Sequence, residues 1–389
     1  MFRLIGLVVA LITVPAVLVA EVEISVTYLQ LEQPQPPVLS NLDPVPEDLG
    51  SAGAELGLAG NLTTGRFLGH SYVLEVVTVP EDGDWTGAAS AALKVSPFVI
   101  LDAPAAAQIV VADLAEASGA VLFNASAADL ALRQDQCRAN LLHTLPSDLM
   151  RSDALLQFLK LRRWDDLVLV AGEHRGDQAF ADALKQSITK FGMSLKAEKM
   201  WVFDADMRRN AAQEVPLFTQ DFGDYDMLLI ADELDDFGRY IAFNTWQARP
   251  VAGSGGLRPV AWSPVVEQWG ATQMQNRFHD MAGRDMRSRD YAAWAAMRSL
   301  GEAVTRTNSA DPEVLRDYIL SDQFELAGFK GRAMNYRDWN GQLRQPIPLV
   351  TDRAVVAMAP LEGFLHQTSE LDTLGVDRPE SLCMAFKGE

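Results

Sequence analysis

The chain has 389 residues, 48% of them hydrophobic and 22% charged, which is enough apolar material for two ordinary domains with their own cores. Its 52 acidic side chains against 33 basic ones leave a formal charge of −19, which argues against nucleic-acid binding and against residence on anionic membrane surfaces. Residues 1–20 stand apart. Arg3 precedes an apolar run ending near Ile12, Pro15 breaks it, and Ala16 and Ala20 are small enough for cleavage, so a secretory signal peptide is expected. The run is shorter than the ~20 residues of a membrane span, and export to an oxidising compartment is the expected outcome.

From residue 21 the chain alternates strands and helices. Val22, Ile24, Val26 and Tyr28 recur every second residue, as on a strand. A proline-rich stretch over 33–46 cannot be a helix or an inner strand. It reads as a linker or as a rim loop at a cleft. A helix rich in Gly and Ala is predicted over 47–61, able to pack closely on a sheet, with a turn over 64–69. Strands follow at 72–79, 98–101 and 121–123, with helices at 87–93 and 105–118. The pattern restarts after Pro146. Ser147 can cap a helix over 148–163, and strands are predicted at 167–171, 197–203, 227–231 and 260–262, with helices at 177–191, 211–218 and 265–281. Asp290 can cap a helix over 291–305 whose core stripe is Tyr291, Trp294, Met297, Leu300 and Val304. A helix over 312–320, a hairpin over 328–343 turning at Asn340-Gly341 and a strand over 354–358 complete the chain. Such alternation implies βαβ units and parallel sheets, that is, an α/β protein in two lobes.

Open α/β sheets bind ligands beyond the carboxyl ends of their strands. Two strands open into polar loops here, Leu122-Phe-Asn-Ala-Ser126 and Leu167-Val-Leu-Val-Ala-Gly-Glu-His-Arg175, which suggests a cleft between the lobes. No nucleophile–base arrangement, phosphate-cradling glycine loop or metal spacing stands out, so an enzyme is not expected. Gly253-Ser-Gly-Gly256 lacks the lysine of a P-loop and reads as a turn. Cys137 and Cys383 are the two cysteines, and the sequence leaves both a disulfide and two buried thiols open.

The order of elements resembles a type I periplasmic binding protein of the branched-chain amino acid class. That resemblance rests on the small-residue first helix, Asn124-Ala-Ser126, His143-Thr144 and the stretch from Asp290 to Trp294. A narrower set of segments is similar to the binding protein associated with PQQ-dependent alcohol dehydrogenase systems. They run from Ser40 to Pro44, Asn61 to Gly69, Leu132 to Ser147, Glu267 to Gln273, Trp339 to Pro346, Gly363 to Gln367 and Leu371 to Gly375. The resemblance implies a two-lobed fold with a mainly parallel sheet in each lobe. Its parts would be residues 21–144 and 282–333 (lobe one), 145–281 and 334–389 (lobe two), with hinges near Thr144, Gly283 and Gly331. It also implies a periplasmic, monomeric component of an ABC importer that docks on a permease and binds pyrroloquinoline quinone (PQQ) or a related small anion. A ligand-sensing protein that regulates alcohol oxidation, or an importer of an amino-acid-like or alcohol-derived ligand, is the alternative.

PQQ is a flat fused quinone with three carboxylates, so its site needs arginine forks, an aromatic face and main-chain donors. The resemblance places Asp102, Asn124, Ala125, Ser126, Arg175, Asp232, Glu233 and Trp262 at the cleft, and Trp269 is a further candidate. Each also has a plainer reading. Arg175 can be a solvated charge, Asn124 a turn residue, Trp262 and Trp269 core, and the run from Asp232 to Asp236 a solvated loop. Asp232 and Glu233 would repel carboxylates, unless they accept from a ligand N–H or pair with Arg175, and they also fit a cationic ligand. Arg133 is expected to pair with Asp129 across one helical turn.

Overall fold

A computed structural model describes residues 22–34, 44–202 and 207–386. The expected signal segment, most of the proline-rich stretch and most of the motif around Asn41 lie outside the described residues. The first lobe opens with β1 (Val22–Leu31), α1 (Ser51–Leu68), β2 (His70–Val79), α2 (Trp85–Val95), β3 (Phe98–Asp102), α3 (Ala105–Ala112), β4 (Val121–Asn124) and β5 (Leu141–His143). These strands form one parallel sheet in the order β2-β1-β3-β4-β5. All five residues of β3 are buried, as expected of a strand covered by helices on both faces.

The second lobe follows with α4 (Asp148–Arg162), β6 (Asp166–Ala171), α5 (Arg175–Lys190), β7 (Ser194–Met200), α6 (Met207–Thr219), β8 (Met227–Ala231), α7 (Gly238–Ile241) and β9 (Val251–Gly253). Its parallel sheet has the order β7-β6-β8-β9. The chain then runs through β10 (Arg258–Pro259), α8 (Ala271–Ala282), α9 (Ser288–Thr307), α10 (Pro312–Leu320), β11 (Leu326–Ala327), β12 (Ala333–Tyr336), β13 (Leu343–Arg344), β14 (Ile347–Val350) and β15 (Val355–Ala359). Two small antiparallel sheets, β11-β12-β13 and β10-β14-β15, are built from this last part.

Several boundaries differ from the sequence reading. Helix α1 runs through the expected turn and stops only at Gly69, whose left-handed backbone (φ 75°) lets its N–H reach Gly65 O. Small residues of α1 serve a helix contact as well as a sheet contact: a Cβ on Gly65 would fall 2.4 Å from His70 O of β2. A Cβ on Gly53 would fall 1.9 Å from Asp290 O of α9, and one on Gly57 2.7 Å from Met297 Cβ. The expected strand over 260–262 is absent, and the helix expected from 265 begins at Ala271. Trp269 (φ 56°) and Gly270 (φ 83°) hold left-handed conformations there, which a right-handed helix cannot include. Asp290 sits in the first turn of α9 and accepts from the N–H of Arg287 at 2.8 Å.

The cores show where the lobes exchange chain. Leu142, Trp262, Met274, Phe278 and Leu343 belong to the core of lobe one, and Met150, Ala252, Ile347 and Leu374 to a core of lobe two. The crossings therefore fall near Thr144, between Leu257 and Trp262, and between Leu343 and Ile347. Helix α8 and hairpin β12-β13, expected in lobe two, pack in lobe one. Gly283 and Gly331 are not hinges: Gly283 (φ 69°) ends α8, and Gly331 lies against the Trp269 ring.

Buried polar groups stitch the first and third crossings together. Gln342 donates to the carbonyls of His143 and Leu145, both at 3.1 Å, and Gln345 donates to Thr144 O at 2.7 Å. Arg133 is 1% exposed. It donates to Gln342 Oε1 (2.9 Å), Leu145 O (2.9 Å), Ala127 O (2.8 Å) and Asp129 O (2.9 Å). It meets Asp129 through the main chain rather than through the expected side-chain pair. Lys330 donates to Gln345 Oε1 at 2.6 Å, and burial pushes its ammonium well below the ordinary range. Cys137 and Cys383 form a disulfide. With Leu374 docked in lobe two and Cys383 bonded to lobe one, the C-terminal tail makes a fourth connection between the lobes.

Candidate functional site

The loop after β4 of lobe one meets the starts of α4 and α5 in lobe two. The Asp148 N–H donates to Ala128 O at 3.0 Å, and Arg175 lies 3.6 Å from Asp129, so contacts already bridge the lobes. A groove is lined by Pro44, Val45, Trp262 and the segment Arg284–Ser288 of lobe one and by Glu233–Asp235, Phe243 and Ser254–Arg258 of lobe two. Of the candidates from the sequence, Glu233 and Trp262 line it, and Asp102, Asn124, Ala125, Ser126, Arg175 and Asp232 do not.

On the lobe-one side, Asp102 ends β3 and is 3% exposed. It accepts from the Tyr28 hydroxyl (2.8 Å) and Gln30 Nε2 (3.2 Å), with the Arg289 guanidinium at 3.5 Å. Burial, and then the Asp102 charge, push the Tyr28 phenol well up, so it stays a donor. Asn124 accepts from the N–H groups of Ala127 (2.8 Å) and Ser126 (3.2 Å) and from Gln108 Nε2 (2.9 Å), and its amide donates to Ala127 O at 2.8 Å. Those bonds fill its carbonyl and hold the turn, the plainer of its two readings. Ala125 is buried. The Ser126 hydroxyl accepts from Ala103 N–H at 2.9 Å and stays partly exposed at the strand end.

On the lobe-two side, Arg175 is the first residue of α5, with its side chain 82% exposed. Asp232 and Glu233 are not a solvated loop. Asp232 is 3% exposed and accepts from the N–H groups of Asp236 (2.9 Å), Phe237 (2.9 Å) and Gly238 (2.6 Å), anchoring the start of α7. Glu233 forms a two-pronged pair with Arg151 (2.7 and 3.1 Å) and accepts from the Ser254 hydroxyl at 2.8 Å. Burial would raise its pKa, but the Arg151 guanidinium outweighs burial and holds it below the usual range. Arg151 also touches Asp148 at 2.9 Å and lies over the Phe180 ring.

The two tryptophans fare differently. Trp262 lines the groove but is 2% exposed, and its ring lies flat on Tyr291, centroids 4.7 Å apart and planes 8° apart. Its indole N–H is buried without an acceptor. Tyr291 thus covers one face of the Trp262 ring. Trp269 lies outside the groove, against Gly331. Sequence reasoning missed Arg151 and the arginines at 284, 287 and 289. The last three had a legible signal, three arginines within six residues of an acidic chain, at the start of helix α9. Among the described residues no cluster of His, Cys, Asp and Glu is arranged to hold a metal, and no helix is long and apolar enough to cross a membrane.

No protein-family model matches the chain, and no curated protein does. The fold has clear counterparts among solved structures. A branched-chain amino acid ABC transporter periplasmic ligand-binding protein from Burkholderia xenovorans aligns with a TM-score of 0.69 at 13% identity, covering 94% of this chain and 100% of that one. A periplasmic binding protein from Burkholderia mallei aligns at 0.66 and 14% identity, over 94% and 99%. An ABC transporter substrate-binding protein from Desulfitobacterium hafniense, in complex with Leu, aligns at 0.62 and 16% identity, over 86% and 99%. The chain therefore has the α/β fold of the two-lobed type I periplasmic binding proteins.

Proposed function

We propose that this chain is the periplasmic solute-binding component of an ABC importer, a monomer that presents a small anionic ligand to its permease, with PQQ as the specific candidate. The fold supports the general part, because each solved counterpart described above is a periplasmic or substrate-binding protein. One observation carries the anionic part. Of the five arginines that line the groove, Arg239 pairs with Asp235, Arg249 with Asp224, Arg258 with Asp352 and Arg284 with Asp48 and Asp290, whereas Arg287 donates to the Pro44 carbonyl at 3.3 Å and is the one of the five with no ion pair among the described residues. At the lobe-two strand end, Asp232 accepts from three N–H groups, and Glu233 is paired with Arg151, which it shares with Asp148. Those bonds weaken the objection that these carboxylates would repel an anion.

A ligand that touches both lobes stabilises the closed form by its differential contacts, and the permease reads that form. The exposed Arg175–Asp129 pair is worth little in water and can exchange its carboxylate for one from the ligand. The test is equilibrium titration of the chain with PQQ, followed by tryptophan fluorescence, with leucine in parallel because one counterpart holds Leu. Saturable sub-micromolar binding of PQQ at one site supports the reading. Saturation by leucine alone favours an amino-acid importer, and an adjacent kinase gene in place of permease and ATPase genes favours a sensor.

A further inference from the structure

We propose that the C-terminal tail is a strap that limits rotation of one lobe against the other, with the Cys137–Cys383 disulfide as its clasp. Strand β15 ends at Ala359, and among the described residues no sheet of either lobe takes a residue beyond it. The tail is nonetheless buried at Leu371, Asp372, Leu374, Val376 and Cys383. Lobe two grips it first. Gln157 of α4 donates to Thr373 Oγ1 (2.9 Å), the Gly375 N–H donates to Asp153 Oδ2 (2.7 Å), and Lys190 of α5 donates to Gly375 O (3.2 Å). Lobe one grips it next. The Leu382 N–H donates to Gln134 Oε1 (2.6 Å), Cys383 is bonded to Cys137, and Phe386 packs on the lobe-one core against Gly341.

Six residues, 376–381, join the two grips. They are held in a turn: Asp377 accepts from the Arg378 N–H (2.7 Å), its own N–H donates to Glu380 (3.1 Å), and Arg378 pairs with Asp338 of lobe one. All three crossings, near 144, 257–262 and 343–347, lie between Cys137 and Cys383 in sequence and so inside the ring that the disulfide closes. Hinges turn by changing the backbone angles of a few residues. Lobes that rotate about these crossings must move one grip relative to the other, and the short, folded connection resists that movement. Without the clasp, the lobe-one grip keeps a hydrogen bond, an exposed ion pair and a ring contact, and such an ion pair is worth little in water.

The test uses the full ligand-free chain in three forms: wild type, Cys137→Ser with Cys383→Ser, and a chain with six Gly/Ser residues inserted between Val376 and Asp377. The insertion keeps the disulfide and slackens the strap, and so small a change in ring length leaves global stability nearly untouched. Small-angle scattering should show a larger maximum dimension for both variants than for wild type. In the insertion variant, amide hydrogen exchange at the three crossings should be at least tenfold faster, with β3 and β8 at the wild-type rate. Scattering curves of both variants that superpose on wild type overturn the strap. A change confined to the double-serine variant also overturns it, because the disulfide then acts as a staple within lobe one rather than through the tether.

Discussion

On the hinge side of the interlobe junction, Arg133 and Arg337 are each 1% exposed and their donors are met by Gln342, Asp372 and main-chain carbonyls. On the cleft side, Arg175 is 82% exposed and has one carboxylate at 3.6 Å. The same residue type therefore does two jobs. A buried guanidinium must have its donors filled, and so it fixes geometry. An exposed one at a cleft mouth keeps its donors free for a partner that arrives later. If this contrast holds, substitutions on the hinge side should change stability, and substitutions on the cleft side should change binding.

The largest effect is expected at Asp372, which accepts from Arg337 (2.8 Å) and Arg344 (2.8 and 3.0 Å) where all three are buried. Asp372→Ala leaves two unpaired buried guanidiniums and should cost about 3–5 kcal/mol in urea unfolding. A loss under 1 kcal/mol would break the contrast. Removing the disulfide with Cys383→Ser should cost about 2–4 kcal/mol, since it closes a loop spanning 246 residues in sequence. Ligand affinity should stay within twofold if the tail only fastens the hinge side.

Arg175→Glu should do the reverse. It should weaken binding of an anionic ligand at least tenfold, about 1.4 kcal/mol, with the unfolding midpoint unchanged. Unchanged affinity in that titration would remove Arg175 from the site. The smallest effect concerns pH. Burial pushes Asp177 up to about 6, although the N–H groups of Glu233 and His174 pull it down. Its unfolded value is near 3.9. The folded chain then binds the extra proton between about pH 4 and 6, so this group's contribution to stability falls as pH rises through that window. Asp177→Asn should flatten that part of a plot of urea midpoint against pH, and an unaltered slope would exclude Asp177 as its source.

Much of the lobe architecture was legible because parallel strands covered on both faces announce themselves as short apolar runs, such as Phe98–Asp102 and Met227–Ala231. Helix starts were legible where a cap was present, as at Ser147, whose hydroxyl accepts from Met150 N–H at 3.2 Å. Lobe membership after residue 257 was not. Helix α8 carries an apolar stripe that would suit either core, and only packing on α1 assigns it to lobe one. The cleft was legible by position and less so by role. Asn124 and Asp232 do stand at strand ends, but their oxygens are filled by nearby N–H groups, which no spacing rule reveals.

The sequence by itself determined the alternation of elements, the apolar strands, the caps and the two cysteines, since each depends on residues close together in the chain or on composition. The tertiary structure decided the rest. It joined Cys137 to Cys383, closed Arg133 and Gln342 into one hinge network, covered Trp262 with Tyr291 and left Arg175 open. Each of these depends on which distant segments meet, and burial and hydrogen-bond satisfaction are defined only once they have met.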